Sequence, residues 1–194
     1  MWNKGLSYRE RHGLGHAGMN KVINTNVDDT LHTDTNASKH SLGLVFFPAF
    51  DWKISETHPE RQERLLYTRD QIVEEGLLDI PNIVEYNPIV ADWDTIERVH
   101  VGAPDLESWV TEAHRVSDGG AIAAADAVMR GEVDRAFALV RPPGHHAMAM
   151  VHGIRGFCTI NIEAVMIQHM RQTYGIKRVA VVDTDVHHGD GSQD

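Results

Sequence analysis

The chain has 194 residues, 42% of them hydrophobic and 24% charged, a balance that fits one soluble domain with room for a core. A formal net charge of -10 argues against broad contact with a phosphate backbone, and no apolar run approaches membrane-spanning length, so neither nucleic acid nor a bilayer is an expected partner. Cys158 is the single cysteine, which excludes an intrachain disulfide and points to a reducing, cytoplasmic setting, and no basic-then-apolar leader opens the chain.

Residues 1–40 read as a polar N-terminal arm, and residues 41–194 as one α/β portion. In the arm, Gly13, Gly15 and Gly18 break any long helix, and His12, His16, His32 and His40 match no common ligand spacing. The β-rich run Leu42–Phe47 predicts a strand ended by Pro48. Thr57 before Pro59 marks a helix start. Leu65-Leu66 and Ile72-Val73, seven apart, give that helix an apolar stripe, with Glu60 and Arg64 placed to pair on the opposite surface. Ile83–Tyr86 is a short strand. Short helices follow over 92–100, capped by Asp92 or Asp94, and over 104–114. Gly119-Gly120 is expected to open an alanine-rich helix over 121–129. Arg135–Val140 is a strand that runs into Arg141-Pro142-Pro143-Gly144-His145-His146-Ala147. A glycine-flanked loop, 153–156, precedes a helix over 161–174 closed by Gly175. The apolar run 179–182 predicts a last strand, ending in Asp183-Thr184-Asp185-Val186-His187-His188-Gly189-Asp190-Gly191.

Strand, loop and helix alternate, the signature of a parallel sheet with crossover helices. In such sheets ligands sit beyond the carboxyl ends of strands, where both polar clusters fall. If the extended geometry continues past Val182, then Asp183, Asp185 and His187 share one face. Carboxylate oxygen with imidazole nitrogen is ligand chemistry for a divalent metal such as zinc. His145 and His146 would face that site if the two strands adjoin. With Asp185 and His187 on the metal, Asp183 and Asp190 remain to orient the two imidazoles. This is an inventory for metal-assisted hydrolysis, with one histidine taking a proton from water and returning it to a leaving amine.

These motifs, together with Gly156-Phe157-Cys158, Asn161 and the helix start His58-Pro59-Glu60-Arg61, resemble the histone deacetylase family, which includes bacterial deacetylase-like amidohydrolases and acetylpolyamine amidohydrolases. The resemblance is sharp over 117–194 and weaker before. It implies an arginase/deacetylase-like three-layer α/β/α fold around a parallel sheet, with the C-terminal part missing. It implies zinc on Asp185 and His187, and a monovalent cation, usually potassium, near the backbone of Asp183, Asp185 and His187. His146 becomes the general base and acid, His145 its electrostatic partner, Asp183 the residue orienting His145, and Asp190 the residue orienting His146. Gly156 would offer its carbonyl to the substrate amide, Phe157 would line a tunnel for an acylated lysine or polyamine, and Cys158 would lie close to the metal cavity. A second aspartate ligand and a transition-state tyrosine come later in the family's chain. On that basis the sequence reads as an N-terminal fragment, inactive alone, with a homo-oligomer compatible. Two alternatives stand beside it: a non-catalytic binding or dimerising module, and an arginase-type manganese ureohydrolase. His145-His146 after Pro-Pro-Gly argues against the ureohydrolase.

Overall fold

A computed structural model of the chain describes residues 40–101, 111–150 and 153–194. The N-terminal arm, apart from His40, lies outside the described residues, as does most of the helix expected over 104–114.

Strands β1 (Leu42–Phe47), β2 (Ile83–Tyr86) and β3 (Arg135–Val140) form a parallel sheet in the order β2-β1-β3. Helices α1 (Gln62–Glu74), α2 (Trp93–Glu97), α3 (Glu112–Met129) and α4 (Ile162–Tyr174) and a final short turn of helix, α5 (Asp190–Gln193), lie between and after them. β1 carries no polar side chain, as a strand buried on both faces requires, and its Leu44 and Val45 are buried. Leu42 stands opposite Ile83 and Arg135, and Phe47 opposite Val140. Val45, Tyr86 and Ala138 therefore share one face, and Leu44, Glu85 and Phe137 the other.

Helix α3 covers the first face, where Ala123 and Ala124 pack with Val45, Tyr86, Ala136, Ala138 and Val140. On the second face, α1 sends Arg69 to the Glu85 carboxylate and across the Phe46 ring, 5.7 Å from its centroid. Helix, sheet and helix make three layers. A second core of Ala91, Ile96, Ile122, Ile160 and Val165 joins α2, α3 and α4. No helix among the described residues is long and apolar enough to cross a membrane.

Several expected boundaries move, each for a physical reason. Gly119-Gly120 does not open a helix: α3 begins at Glu112, with Thr111 and His114 capping each other's backbone. A Cβ on Gly119 would stand 2.0 Å from the Ile89 carbonyl oxygen, and one on Gly120 would stand 2.7 Å from Val140 Cγ1. The glycines let α3 approach its neighbours, at a helix-propensity cost of about 1 kcal/mol each. Helix α1 starts at Gln62, past Thr57, with no side-chain cap. Glu60, expected on the surface, is buried just ahead of it. Asp92 does cap α2, accepting the Thr95 N–H at 2.7 Å, but that helix ends at Glu97.

The largest departure is 179–182, which forms no strand. A β-branched run favours extended chain, but a strand also needs a neighbour for its ladder of N–H and C=O groups. Among the described residues the sheet stops at β3. Val182 is consequently 85% exposed. The two clusters do not sit on adjoining strands. A cavity of about 630 Å³ lies between them, bordered by Ala138 and Val140 of β3 and by Asp183 and Thr184.

Candidate active site

The loop bearing the two histidines is anchored at its base. Arg141, the residue after β3, is fully buried. Its Nε donates to Glu60 Oε1 at 2.8 Å, its Nη1 to the carbonyls of Pro48 (2.7 Å) and Ala49 (2.9 Å), and its Nη2 to Trp52 O at 3.2 Å. The guanidinium also lies 4.8 Å from the centroid of the Trp52 ring. One planar fork thus ties the end of β3 to the end of β1 and the approach to α1. Ser117 Oγ of α3 donates to Pro142 O at 2.8 Å and holds the next residue.

Beyond this anchor, His145 and His146 sit side by side, their ring centroids 4.1 Å apart. His145 Nδ1–H donates to Asp183 Oδ2 at 2.8 Å, and His146 Nδ1–H donates to Asp190 Oδ1 at 2.8 Å. A carboxylate only accepts, so each pairing fixes a tautomer and leaves Nε2 as the available base. These bonds hold both carboxyls below their ordinary range. For Asp183 the His145 bond acts first and the Asp185 N–H second; for Asp190 the His146 bond acts first, with the Arg155 charge assisting. The order of pairing is the one the family resemblance implies, although no strand ladder produces it.

Asp185 and His187 line the same cavity as the two histidines. Asp185 Oδ1 accepts the His187 N–H at 2.7 Å and stands 2.9 Å from His187 Nδ1. The His187 N–H, followed by its imidazole, holds the Asp185 carboxyl below its ordinary range. His188 is not part of the cavity lining. An oxygen and a nitrogen brought this close suit one small divalent ion: two ligands at about 2.0–2.1 Å in a tetrahedral shell stand about 3.3 Å apart. A catalytic zinc takes three protein ligands, and the described residues bring two candidates together, with no third His, Cys, Asp or Glu completing a group. The donor set fits zinc as far as it extends.

The turn 155–158 brings Gly156 and Phe157 to the cavity beside His146. Gly156 has φ 50°, and a Cβ there would stand 2.3 Å from His146 Cδ2, so only glycine lets this turn lie against the imidazole. Phe157 is partly exposed at the cavity and meets the His58 ring edge-on at 5.2 Å. Cys158 is buried behind it, and that burial pushes its thiol up to about 11. Its place in this structure is a packing one.

Two positions, His100 and Asp118, were not singled out from sequence, and the burial of two others, Glu60 and Arg141, was not foreseen. Glu60 and Arg141 form the buried anchor. His100, whose Nδ1–H donates to Met148 O at 2.9 Å while Nε2 accepts the Asn161 N–H at 2.9 Å, ties the histidine loop to the start of α4. Burial lowers its pKa and keeps it neutral. Asp118 of α3 is fully buried, and no donor among the described residues reaches either of its oxygens. Burial, then the nearby Glu163, raises its pKa well above 3.8. The one local signal for it was an aspartate inside the small-residue stretch of α3.

Comparison with known proteins decides what this arrangement belongs to. Residues 105–194 match the histone deacetylase domain, a range that holds every metal-ligand, histidine and orienting candidate above. The chain is 37% identical over 171 residues to a probable deacetylase of Archaeoglobus fulgidus, covering 78% of this chain and 47% of that protein. The chain belongs to the histone deacetylase family. Another family member, the polyamine deacetylase HDAC10 of Mus musculus, is 32% identical over 165 residues, or 73% of this chain and 24% of that protein. Among solved structures, the HDA15 HD domain aligns with a TM-score of 0.66 at 27% identity, over 79% of this chain and 49% of that one. The three-layer arrangement therefore corresponds to part of the deacetylase α/β fold. The chain spans about half the length of the archaeal relative and about a quarter of the murine one.

Proposed function

We propose that the protein hydrolyses an acylated amine, an acetylated lysine side chain or an acetylpolyamine, with zinc held by Asp185, His187 and one further ligand from outside the described residues. One observation carries this reading: two adjacent imidazoles, each bonded through Nδ1 to its own carboxylate, share a cavity with a converging oxygen–nitrogen donor pair. Zinc, when bound, would act as a Lewis acid toward the amide carbonyl and make water more acidic.

The chain's own residues do the rest. His146, oriented by Asp190, accepts a proton from the attacking water at Nε2 and delivers it to the leaving amine. His145, paired with Asp183, adds positive potential beside it when protonated. Gly156 offers its carbonyl to the substrate N–H, and Phe157 packs along the aliphatic stem. The backbone carbonyls of Asp183, Asp185 and His187 are the candidate contacts for potassium. The names of the relatives support the substrate class, since they include a probable deacetylase and a polyamine deacetylase.

The test is acetate release by the full-length protein from an acetyl-lysine peptide and from an acetylpolyamine, with and without a chelator. The reading predicts turnover of at least one substrate, loss with chelator, return with zinc, and one zinc per chain. Chelator-insensitive turnover, or two manganese ions per chain, would overturn it.

A further inference from the structure

The turn that faces His146 is closed by two backbone hydrogen bonds, Arg155 N–H to Cys158 O at 3.1 Å and Cys158 N–H to Arg155 O at 2.8 Å. Its central residues both have positive φ, 50° at Gly156 and 55° at Phe157, as in a type I′ turn. Glycine adopts that geometry readily. A bulky residue such as Phe157 does so only when its surroundings hold it there.

Arg155 sits at the corner of this turn. Its Nη2 lies 2.5 Å from Asp190 Oδ2, while Asp190 Oδ1 takes the His146 Nδ1–H at 2.8 Å. Its Nη1 rests 3.3 Å from Met148 Sδ, on the segment that follows the histidine pair. The Asp190 carboxylate thus has one partner on each oxygen, and it cannot rotate about its own axis without breaking one of them. Asp190 is the more enclosed partner, and Arg155 the more exposed.

We propose that Arg155 is a positioning residue, which locks Asp190, and through it the His146 ring, to the turn that carries Phe157. The proposal rests on the reading of His146 as the proton-transferring group. It makes the orientation of the imidazole and the placing of the substrate-lining turn one coupled arrangement, joined by a single guanidinium. Because that guanidinium is largely exposed, added salt weakens the coupling.

Two variants of the full-length protein, Arg155→Met and Arg155→Lys, test it with two readouts. Arg155→Met should lower kcat roughly 10-fold, the range of a lost orienting partner, with KM changed less than about 2-fold. Arg155→Lys keeps one charged donor and should recover most of the rate. In metal-free protein, the downfield proton resonance of the His146 Nδ1–H, assigned by its disappearance in His146→Ala, should be sharp in the wild type. It should be broadened or lost in Arg155→Met, and restored in Arg155→Lys. Wild-type kcat with an unchanged resonance in Arg155→Met overturns the proposal, as does equal loss in both variants. If the full-length protein turns over no acylated amine, the functional reading fails, and the resonance alone still decides whether Arg155 orders the Asp190–His146 pair.

Discussion

Replacing Arg141 by Met should destabilise the region that presents the active site, and the structure sets the size of the effect. The variant keeps the volume of the side chain's stem but removes the charge and all its donors. Four hydrogen bonds go, three of them to backbone carbonyls at 2.7, 2.9 and 3.2 Å. The fourth partner, Glu60, is 7% exposed and would keep one cation, Arg64, whose Nε is 3.0 Å from Oε2. Breaking a buried ion pair by removing one partner costs roughly 3–5 kcal/mol, most of it from the stranded charge. Arg64 mitigates that, while the carbonyls without donors add to it. A loss of about 4 kcal/mol follows, a large share of a typical total of ~5–15. Urea unfolding of wild type, Arg141→Met, Glu60→Gln and the double variant measures it. The double variant removes the stranded carboxylate, so it should be more stable than the sum of the single losses by about 2 kcal/mol. A loss below about 1 kcal/mol for Arg141→Met, or additivity within about 0.5 kcal/mol, would refute the anchor.

Three further outcomes follow from individual side chains. Gly156→Ala puts a methyl group 2.3 Å from the His146 ring at a φ of 50°, so it should destabilise the protein by roughly 1–3 kcal/mol and reduce turnover beyond that loss of fold; kinetics at a temperature where the variant remains folded separate the two effects. Asp118 has a folded-state pKa above its ordinary 3.8, so the native state keeps a proton that the unfolded state releases; its contribution is present below about pH 4 and is lost as pH rises through the folded value. Asp118→Asn cannot ionise, and its Tm should therefore fall less between about pH 5 and about pH 8 than that of wild type; an unchanged slope contradicts this. Cys158, buried and with its thiol pushed up to about 11, should resist iodoacetamide at about pH 8 until denaturant is added, which mass spectrometry reads directly.

What the sequence made legible was chemistry tied to local pattern. The alternation of β1, β2 and β3 with helices showed in apolar runs and turn residues, because a buried strand and a capped helix each leave a mark within a few positions. The candidate site residues were legible because ligand and base chemistry limits the residue types, and because the motifs around His145 and Asp183 resemble a known family. Long-range partnerships left no such mark. Arg141 and Glu60 are separated by 81 positions, and nothing local to either indicates burial. Gly119 and Gly120 read as the opening of a helix because the pressure on them comes from Ile89 and Val140, distant in sequence. The run 179–182 has the composition of a strand, but strand formation depends on a neighbour that composition does not specify.

The most direct test of the account is acetate release from an acetylated amine by zinc-loaded full-length protein, wild type against His146→Ala, with bound zinc measured on the same samples. His146 is assigned the proton transfer and no place on the metal. The account predicts that the variant keeps its zinc and loses about 10²–10⁴ in rate. A variant that turns over within about 3-fold of wild type with its zinc in place would contradict it.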